Sequence, residues 1–216
     1  MRIKFIIDPE YDIKIGYQMI QLFGKKPIPS QKKHSEQAKK AYAVLLPFIE
    51  KSRQLYQQSW DEIIEEFSDR IATLTHPWFY SEYQCVVGLL NRGISNWNGN
   101  KIIRWWQENP DAQRRITAHE VLLAHYFSIH RHNFPDSNLA DKQIWALAEI
   151  AAFALTGLEP RLAKFWLWDS SGYYTDHNYP QLIQLQNQLK EPFLKRKSFS
   201  QYIEVGIDLV KKYPNL

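Results

Sequence analysis

Two consecutive helical segments constrain the fold of this chain more than any other feature of its sequence. Asn109 and Pro110 are typical of a helix N-cap followed by proline at the first helical position, and they predict a helix over about 110–132. Residues 135–138 (Pro-Asp-Ser-Asn) break the chain, and the apolar stretch over 139–156 predicts a second helix. A chain organised around such a pair is expected to be mainly helical.

The spacing of apolar residues indicates further helices on both sides of this central pair. Pro47 is expected to kink or break the longest of them, and residues 59–62 match a capping box that would open another helix. Residues 24–34 are basic and contain prolines, which predicts a linker. The predicted helical segments are 9–23, a long region from 35, the helix opening at 59–62, 180–190 and 198–212.

Strand-forming residues concentrate just before the central pair. Residues 82–90 and 93–98 predict a β-hairpin or a sheet edge, and the sequence Asn-Gly-Asn over 98–100 predicts a turn. Residues 102–106 are compatible with a short helix or with a continued strand, and residues 2–7 with a short strand.

The predicted fold class is therefore mainly α with a small β element (α+β), a helical domain with a short hairpin or sheet edge before the central helices. The chain has 216 residues, and we expect a single domain over 1–216. The alternative is a helical N-terminal part, 1–75, followed by a second part, 76–216, that carries the functional residues.

Composition limits the class of protein without selecting a function. Hydrophobic residues make up 44% of the chain and charged residues 23%, which predicts a globular protein. The net charge of +4 permits a nucleic acid or another anionic partner but does not require one. Cys85 is the one cysteine, so no internal disulfide is expected. Because no stretch is long and apolar enough for a signal peptide or a membrane span, we expect a soluble cytoplasmic protein.

Chemistry-bearing side chains concentrate in the first helix of the central pair. Four of the seven histidines lie within residues 116–132: His119, His125, His130 and His132. A histidine followed by glutamate, as in His119-Glu120, is how the helix of a hydrolytic zinc site begins, because the imidazole binds the metal and the carboxylate activates water. The competing interpretation is that Glu120 closes a capping box that begins at Thr117.

The spacing of these histidines differs from that of a regular zinc-binding helix. Two ligands four residues apart share one face of an α-helix, and the residue four positions after His119 is Leu123. His125 lies roughly 240° around the helix from His119, and His130 lies about 16 Å along the axis. A π-bulge or a local unwinding would be needed to bring His125 to the same metal.

Glu149 lies within an apolar run of the second central helix. Burying an isolated carboxylate is costly, so Glu149 is expected to have a partner. The open alternatives are a metal ion, a proton on Glu149 itself, or an arginine of the preceding helix. The arginines concerned are Arg114, Arg115 and Arg131.

The order of these features resembles that of the glutamate-zincin metallopeptidases, especially minimal single-domain ones. A strand region, a helix with His-Glu and a later helix with a glutamate cover about residues 82–155. The resemblance implies that His119 and Glu149 bind zinc and that Glu120 is the general base. The chain departs from the family at the second histidine of the motif, for which His125 is a displaced substitute.

An aromatic segment over residues 172–180 adds further site candidates. Tyr174 and His177 are predicted to act in catalysis, because a tyrosine or histidine there would stabilise an oxyanion opposite the metal. The competing interpretation is that the tyrosines pack on the helices and that Asp176 or Asn178 caps the helix that follows.

Three functional hypotheses follow from these patterns. The first is a zincin-like, zinc-dependent hydrolase, complete or degenerate, which acts on a peptide or small-molecule substrate and whose metal site is completed by His125 or His177. The second is a non-catalytic helical module without a cofactor, which binds a protein or an anionic partner through its basic helices. The third is a nucleic-acid-associated protein that uses arginines beside tryptophans: Arg104, Trp105, Trp106, Arg114 and Arg115.

Overall fold

The computed structural model describes residues 1–24, 27–92, 96–166 and 179–214. Within these ranges the chain is mainly α-helical with a small β-sheet, as the sequence predicts. The helices are α1 (Pro9–Phe23), α2 (Gln31–Asp61), α3 (Ile64–Leu74), α4 (Pro110–Asn133), α5 (Asp141–Leu158), α6 (Pro160–Ala163), α7 (Ile183–Lys195) and α8 (Phe199–Val210). The strands are β1 (Arg2–Ile6), β2 (Glu82–Gly88), β3 (Asn96–Asn98) and β4 (Lys101–Trp105).

The four strands form one sheet in the order β1-β2-β4-β3. Strands β1, β2 and β4 run parallel, and β3 pairs antiparallel with β4 through a turn in which Gly99 has a φ of 58°. Of the two arrangements predicted for 82–90 and 93–98, the hairpin is wrong, because β4 lies between β2 and β3, and the sheet edge is confirmed, because β3 is an edge strand. Residues Ile102 and Ile103 of β4 are buried, whereas β3 has no buried residue, so the more apolar of these two strands takes the place beside β2.

Helix α2 is longer than the sequence predicts. It begins at Gln31, where the Ser30 side chain accepts a hydrogen bond from the Lys33 amide at 3.3 Å, so the predicted linker over 24–34 ends early. It then continues through Pro47 to Asp61. The predicted capping box over 59–62 is also wrong, because Ser59 is buried inside α2.

The central pair forms as the sequence predicts, with boundaries shifted by a few residues. Helix α4 packs on α5 over one face and contacts β3, β4 and α2 elsewhere. A large hydrophobic core joins residues of the sheet and of the long helices, and α4 runs through it. Strand β1 pairs with β2, so one sheet connects residues on both sides of position 75. The single-domain organisation stays a prediction.

Candidate functional site

Local sequence fixes the position of α4 and therefore of the His-Glu dipeptide. The Asn109 side chain accepts a hydrogen bond from the Asp111 amide at 2.8 Å, and Pro110 occupies the first helical position. The helix then continues without interruption to Asn133. His119 and Glu120 are consequently mid-helix residues, which excludes the capping box proposed for Thr117 and Glu120.

The structure pairs His119 with Glu149. Nε2 of His119 and Oε2 of Glu149 are 2.9 Å apart, which joins α4 to α5. Both residues are buried, with exposed fractions of 8% and 4%. The ring of Phe153 stacks on the imidazole, with ring centroids 4.8 Å apart and planes inclined by 28°. The hydrogen-bond partner of the buried Glu149 carboxylate is therefore a histidine. The sequence had suggested an arginine, a metal ion or a proton.

Glu120 and Tyr179 extend this pair into a four-residue group. Glu120 is buried, with an exposed fraction of 5%. The pKa of the Tyr179 phenol is raised, first by burial and then by the negative charges of Glu149 and Glu120. The ring of Tyr179 stands edge-on to the ring of Trp145, with the two ring centroids 4.9 Å apart. Trp145 lies on α5, one helical turn before Glu149. We call His119, Glu120, Glu149 and Tyr179 the acid–base cluster.

Tyr179 is not among the site residues that the sequence predicts. It belongs to the same aromatic segment as Tyr174 and His177, and directly precedes Pro180. Its position over α5 depends on how distant parts of the chain meet, which no local pattern encodes. Tyr174, Asp176, His177 and Asn178 lie outside the described residues, so their proposed roles stay predictions.

His125 is held away from the acid–base cluster by a different set of contacts. Its Nε2 lies 3.1 Å from Oγ1 of Thr75 and 3.1 Å from the carbonyl oxygen of His76. The Thr75 hydroxyl donates to the carbonyl of Ile71, so both neighbours of Nε2 accept, and Nε2 carries the proton. Trp78 packs on the ring at a centroid distance of 4.3 Å. The pKa of His125 is lowered to about 4, mainly because its ring is buried.

The remaining histidines of α4 lie near its C-terminal end. Nε2 of His130 is 3.2 Å from Oγ of Ser137 in the following loop, and burial lowers the pKa of His130. His132 is exposed and packs edge-on against Phe79. Neither histidine contributes to the acid–base cluster.

The donors of the acid–base cluster do not by themselves make a zinc site. A structural or catalytic zinc takes at least three protein ligands, and His119 with Glu149 supplies two. Leu123 stands where a third would complete the face, and no group of three His, Cys, Asp or Glu residues within the described ranges is placed to hold a metal ion. Zinc binding stays a prediction.

The arginines suggested for nucleic-acid binding have protein partners. Arg104 is buried and forms an ion pair with Glu108. Arg114 donates from Nε to Oγ of Ser59 at 2.8 Å and pairs with Glu62. These contacts remove Arg104 from the exposed surface and occupy the Arg114 guanidinium. Nucleic-acid binding through Arg115, Trp105 and Trp106 stays a prediction.

Comparisons with known proteins do not assign a function. No protein-family model matches the sequence, and neither a curated protein nor a solved structure matches it significantly. Across the described part of the chain, none of the helices has the length and apolar character that crossing a membrane requires. Any functional assignment therefore depends on the geometry and chemistry of the acid–base cluster.

Proposed function

We propose that this chain is a hydrolase that cleaves a carbonyl-containing bond, with the acid–base cluster as its active site. The observation that carries the proposal is the buried 2.9 Å contact between His119 and Glu149, with a second carboxylate, Glu120, beside it on α4. Two carboxylates and an imidazole in an otherwise apolar helix interface are costly to bury. Such groups are characteristic of sites that transfer protons.

Each member of the cluster has a separate role in the proposed reaction. Glu120 accepts a proton from a water molecule as the water oxygen bonds to the carbonyl carbon of the substrate. Glu149 fixes the ring orientation of His119 through their 2.9 Å contact. When the bond to the leaving group breaks, the leaving atom takes up the proton that Glu120 received. The overall change is the addition of one water molecule across the cleaved bond.

Tyr179 is suited to stabilise the oxyanion that forms on the carbonyl oxygen. Burial and, after it, the negative charges of the two carboxylates raise its pKa, so the phenol keeps its proton at neutral pH and remains a hydrogen-bond donor. Its residual exposure places it at the solvent side of the cluster, where a substrate would enter. A fixed donor at that position lowers the energy of the charged intermediate.

The test is a hydrolysis screen of wild-type protein and Glu120→Gln. Peptide libraries and small ester and amide substrates are incubated with each protein, and products are identified by mass spectrometry. Loss of a general base lowers kcat by roughly 10² to 10⁴-fold. Glu204→Gln, an exposed change on α8, serves as the matched control and is expected to retain full activity. Equal hydrolysis by wild type and by folded Glu120→Gln would contradict the proposal.

A non-catalytic binding module is the second candidate, and one surface favours it. Val44, Phe48 and Leu55 share one side of α2 and are exposed by 70%, 54% and 54%. Lys40 and Lys51, also exposed, lie between or beside them. This combination suits an amphipathic partner with acidic flanks. If no substrate is cleaved by the wild-type protein while Phe48→Glu weakens its capture of an acidic amphipathic peptide, this candidate replaces the hydrolase.

A further inference from the structure

We infer that two copies of this chain associate through α2, which packs antiparallel against the α2 helix of the second copy. This association goes beyond the proposed hydrolase, and it gives the exposed surface of α2 one specific occupant. The exposure, spacing and charge of one row of side chains along that helix support it.

One side of α2 is exposed to solvent from its first turn to its C-terminal end. The exposed positions recur every three or four residues, which places them in a single row on a continuous helix. We call this row the α2 stripe. Its members are Lys33, Gln37, Lys40, Val44, Phe48, Lys51, Leu55, Gln58 and Glu62. The last of them directly follows the helix and keeps helical backbone angles, with a φ of −66° and a ψ of −27°.

The middle of the α2 stripe is apolar. Val44, Phe48 and Leu55 are exposed by 70%, 54% and 54%. Lys40 and Lys51 lie beside them, and the methylene groups of a lysine can cover further apolar surface. Large apolar side chains exposed in one row are typical of a site of association, and a spacing of three and four residues is that of the seam between two packed helices. A second helix with the same spacing therefore fits this surface.

The charges at the two ends of the α2 stripe favour an antiparallel partner of the same sequence. Lys33 lies at the N-terminal end and Glu62 at the C-terminal end, and the Glu62 side chain is 62% exposed although it also pairs with Arg114. A second α2 that runs in the opposite direction places Lys33 of each copy beside Glu62 of the other. The two apolar middles then meet about a two-fold axis near Phe48. A parallel pair would instead place lysines beside lysines, which is unfavourable.

The size of this contact predicts a reversible dimer. The α2 stripe is about 43 Å long at 1.5 Å per residue, and an α-helix presents a face about 10 Å wide. Two such faces amount to about 900 Å², which lies below the size of most permanent interfaces and within that of transient ones. We therefore expect dimers that form in the micromolar range of concentration and dissociate on dilution.

Sedimentation velocity of the full-length chain tests the association. We expect wild type to change from one to two copies per particle as its concentration rises from about 1 µM to about 1 mM. Phe48→Glu places two carboxylates near the two-fold axis and should raise the dissociation constant at least about 10²-fold. Leu46→Glu is the matched control, since it makes the same kind of change at an exposed position on the opposite side of α2, and it should dimerise as wild type does. Circular dichroism establishes that each variant is folded.

A charge exchange tests the antiparallel orientation. Lys33→Glu and Glu62→Lys each place like charges together at both ends of the dimer, so each should raise the dissociation constant by about tenfold. The double variant, Lys33→Glu with Glu62→Lys, restores opposite charges and should dimerise about as well as wild type. In a parallel pair the two positions would lie about 43 Å apart, and the second change could not rescue the first.

Three results would overturn the inference. Wild type that stays monomeric across this range excludes the dimer, and if the same monomer captures an acidic amphipathic peptide through Phe48, the surface serves the second candidate function instead. Dimers that Phe48→Glu and Leu46→Glu weaken equally, or not at all, use a different surface. Charge variants that each weaken the dimer without rescue in the double variant contradict the antiparallel contact. The readout is particle mass, so failure of the proposed hydrolase leaves it interpretable.

Discussion

Asp12 is a fully buried carboxylate on α1 that organises the end of strand β2. Its oxygens accept hydrogen bonds from the Tyr42 hydroxyl, the Leu89 and Leu90 amides and the Asn91 side chain, at 2.5 to 3.1 Å. Burial raises the pKa of Asp12 although these donors favour the charged form. The loop after Gly88 is thereby tied to α1 and α2 through one side chain.

Replacing this carboxylate should therefore destabilise the fold. Asp12→Asn leaves one acceptor oxygen and directs an amide N–H₂ at groups that themselves donate. We expect the free energy of unfolding to fall by about 1–3 kcal/mol, measured by urea denaturation. Asp208→Asn, an exposed change on α8, should leave it within about 0.5 kcal/mol of wild type. A loss no larger than that of the control would show that the four hydrogen bonds do not stabilise the chain.

The sequence predicts only part of the acid–base cluster. The sequence indicates that Glu149 needs a partner, because a carboxylate among alanines is costly to bury. It cannot select His119 over an arginine, since that choice depends on the rotation of α4 against α5. The orientation of His125 is determined by its contacts with Thr75 and His76, which lie about fifty residues earlier in the chain. The spacing of apolar residues does not predict such contacts.

Helices that begin with a cap formed by short-range hydrogen bonds could be predicted from the sequence. The caps at Asn109 and Ser198 are formed by hydrogen bonds to residues two or three positions later, and the helices they begin were predicted correctly. Residues 59–62 carry an equally good local pattern, yet Ser59 instead accepts from Arg114 in the core. Strand pairing is also non-local, and the order β2-β4-β3 was missed for that reason.

Pro47 is the clearest element-scale conflict between local preference and tertiary packing. Proline in a helix interior removes one backbone hydrogen bond and clashes with the preceding turn, at a cost of about 3 kcal/mol. Helix α2 nevertheless continues, because Tyr42, Ile49 and Tyr56 are buried on the same side before and after it. Pro47 itself is exposed, so water can solvate the carbonyl that lacks a donor.

Pro47→Ala should consequently stabilise the chain. We expect the free energy of unfolding to rise by about 1–3 kcal/mol, with a higher melting temperature, since the missing hydrogen bond is restored without loss of core packing. Pro110→Ala is the control, because proline at the first helical position removes no helical hydrogen bond, and we expect no gain there. An unchanged or lower melting temperature for Pro47→Ala would mean that the packing of α2 requires proline at this position.

At the scale of the whole molecule, buried histidines couple folding to pH. Helix α4 carries His125 and His130 through the core, and burial lowers the pKa of both. His125 also connects α4 to the turn that follows α3 through the His76 carbonyl. Protonating this side chain places a positive charge beside the rings of Trp78 and Phe79, where water cannot solvate it, so protonation destabilises the folded state.

The direction of the pH dependence follows from the lowered pKa. His125 binds a proton near pH 6.5 in the unfolded chain but only near pH 4 in the folded one. Its contribution to stability is therefore fully present above pH 6.5 and is lost as the pH falls from 6.5 towards 4. The loss is on the order of 3 kcal/mol across that window, since one pKa unit corresponds to about 1.4 kcal/mol.

His125→Gln isolates this contribution. Glutamine keeps an N–H donor for the His76 carbonyl but does not titrate, so unfolding curves between pH 4 and 7 should flatten relative to wild type. Asp12, whose raised pKa favours the folded state at acid pH, is common to both proteins and cancels in the difference. His132→Gln, an exposed change on the same helix, should leave the wild-type slope unchanged. If His125→Gln and wild type lose stability in parallel, acid unfolding begins elsewhere in the chain and His125 is not the group that couples α4 to pH.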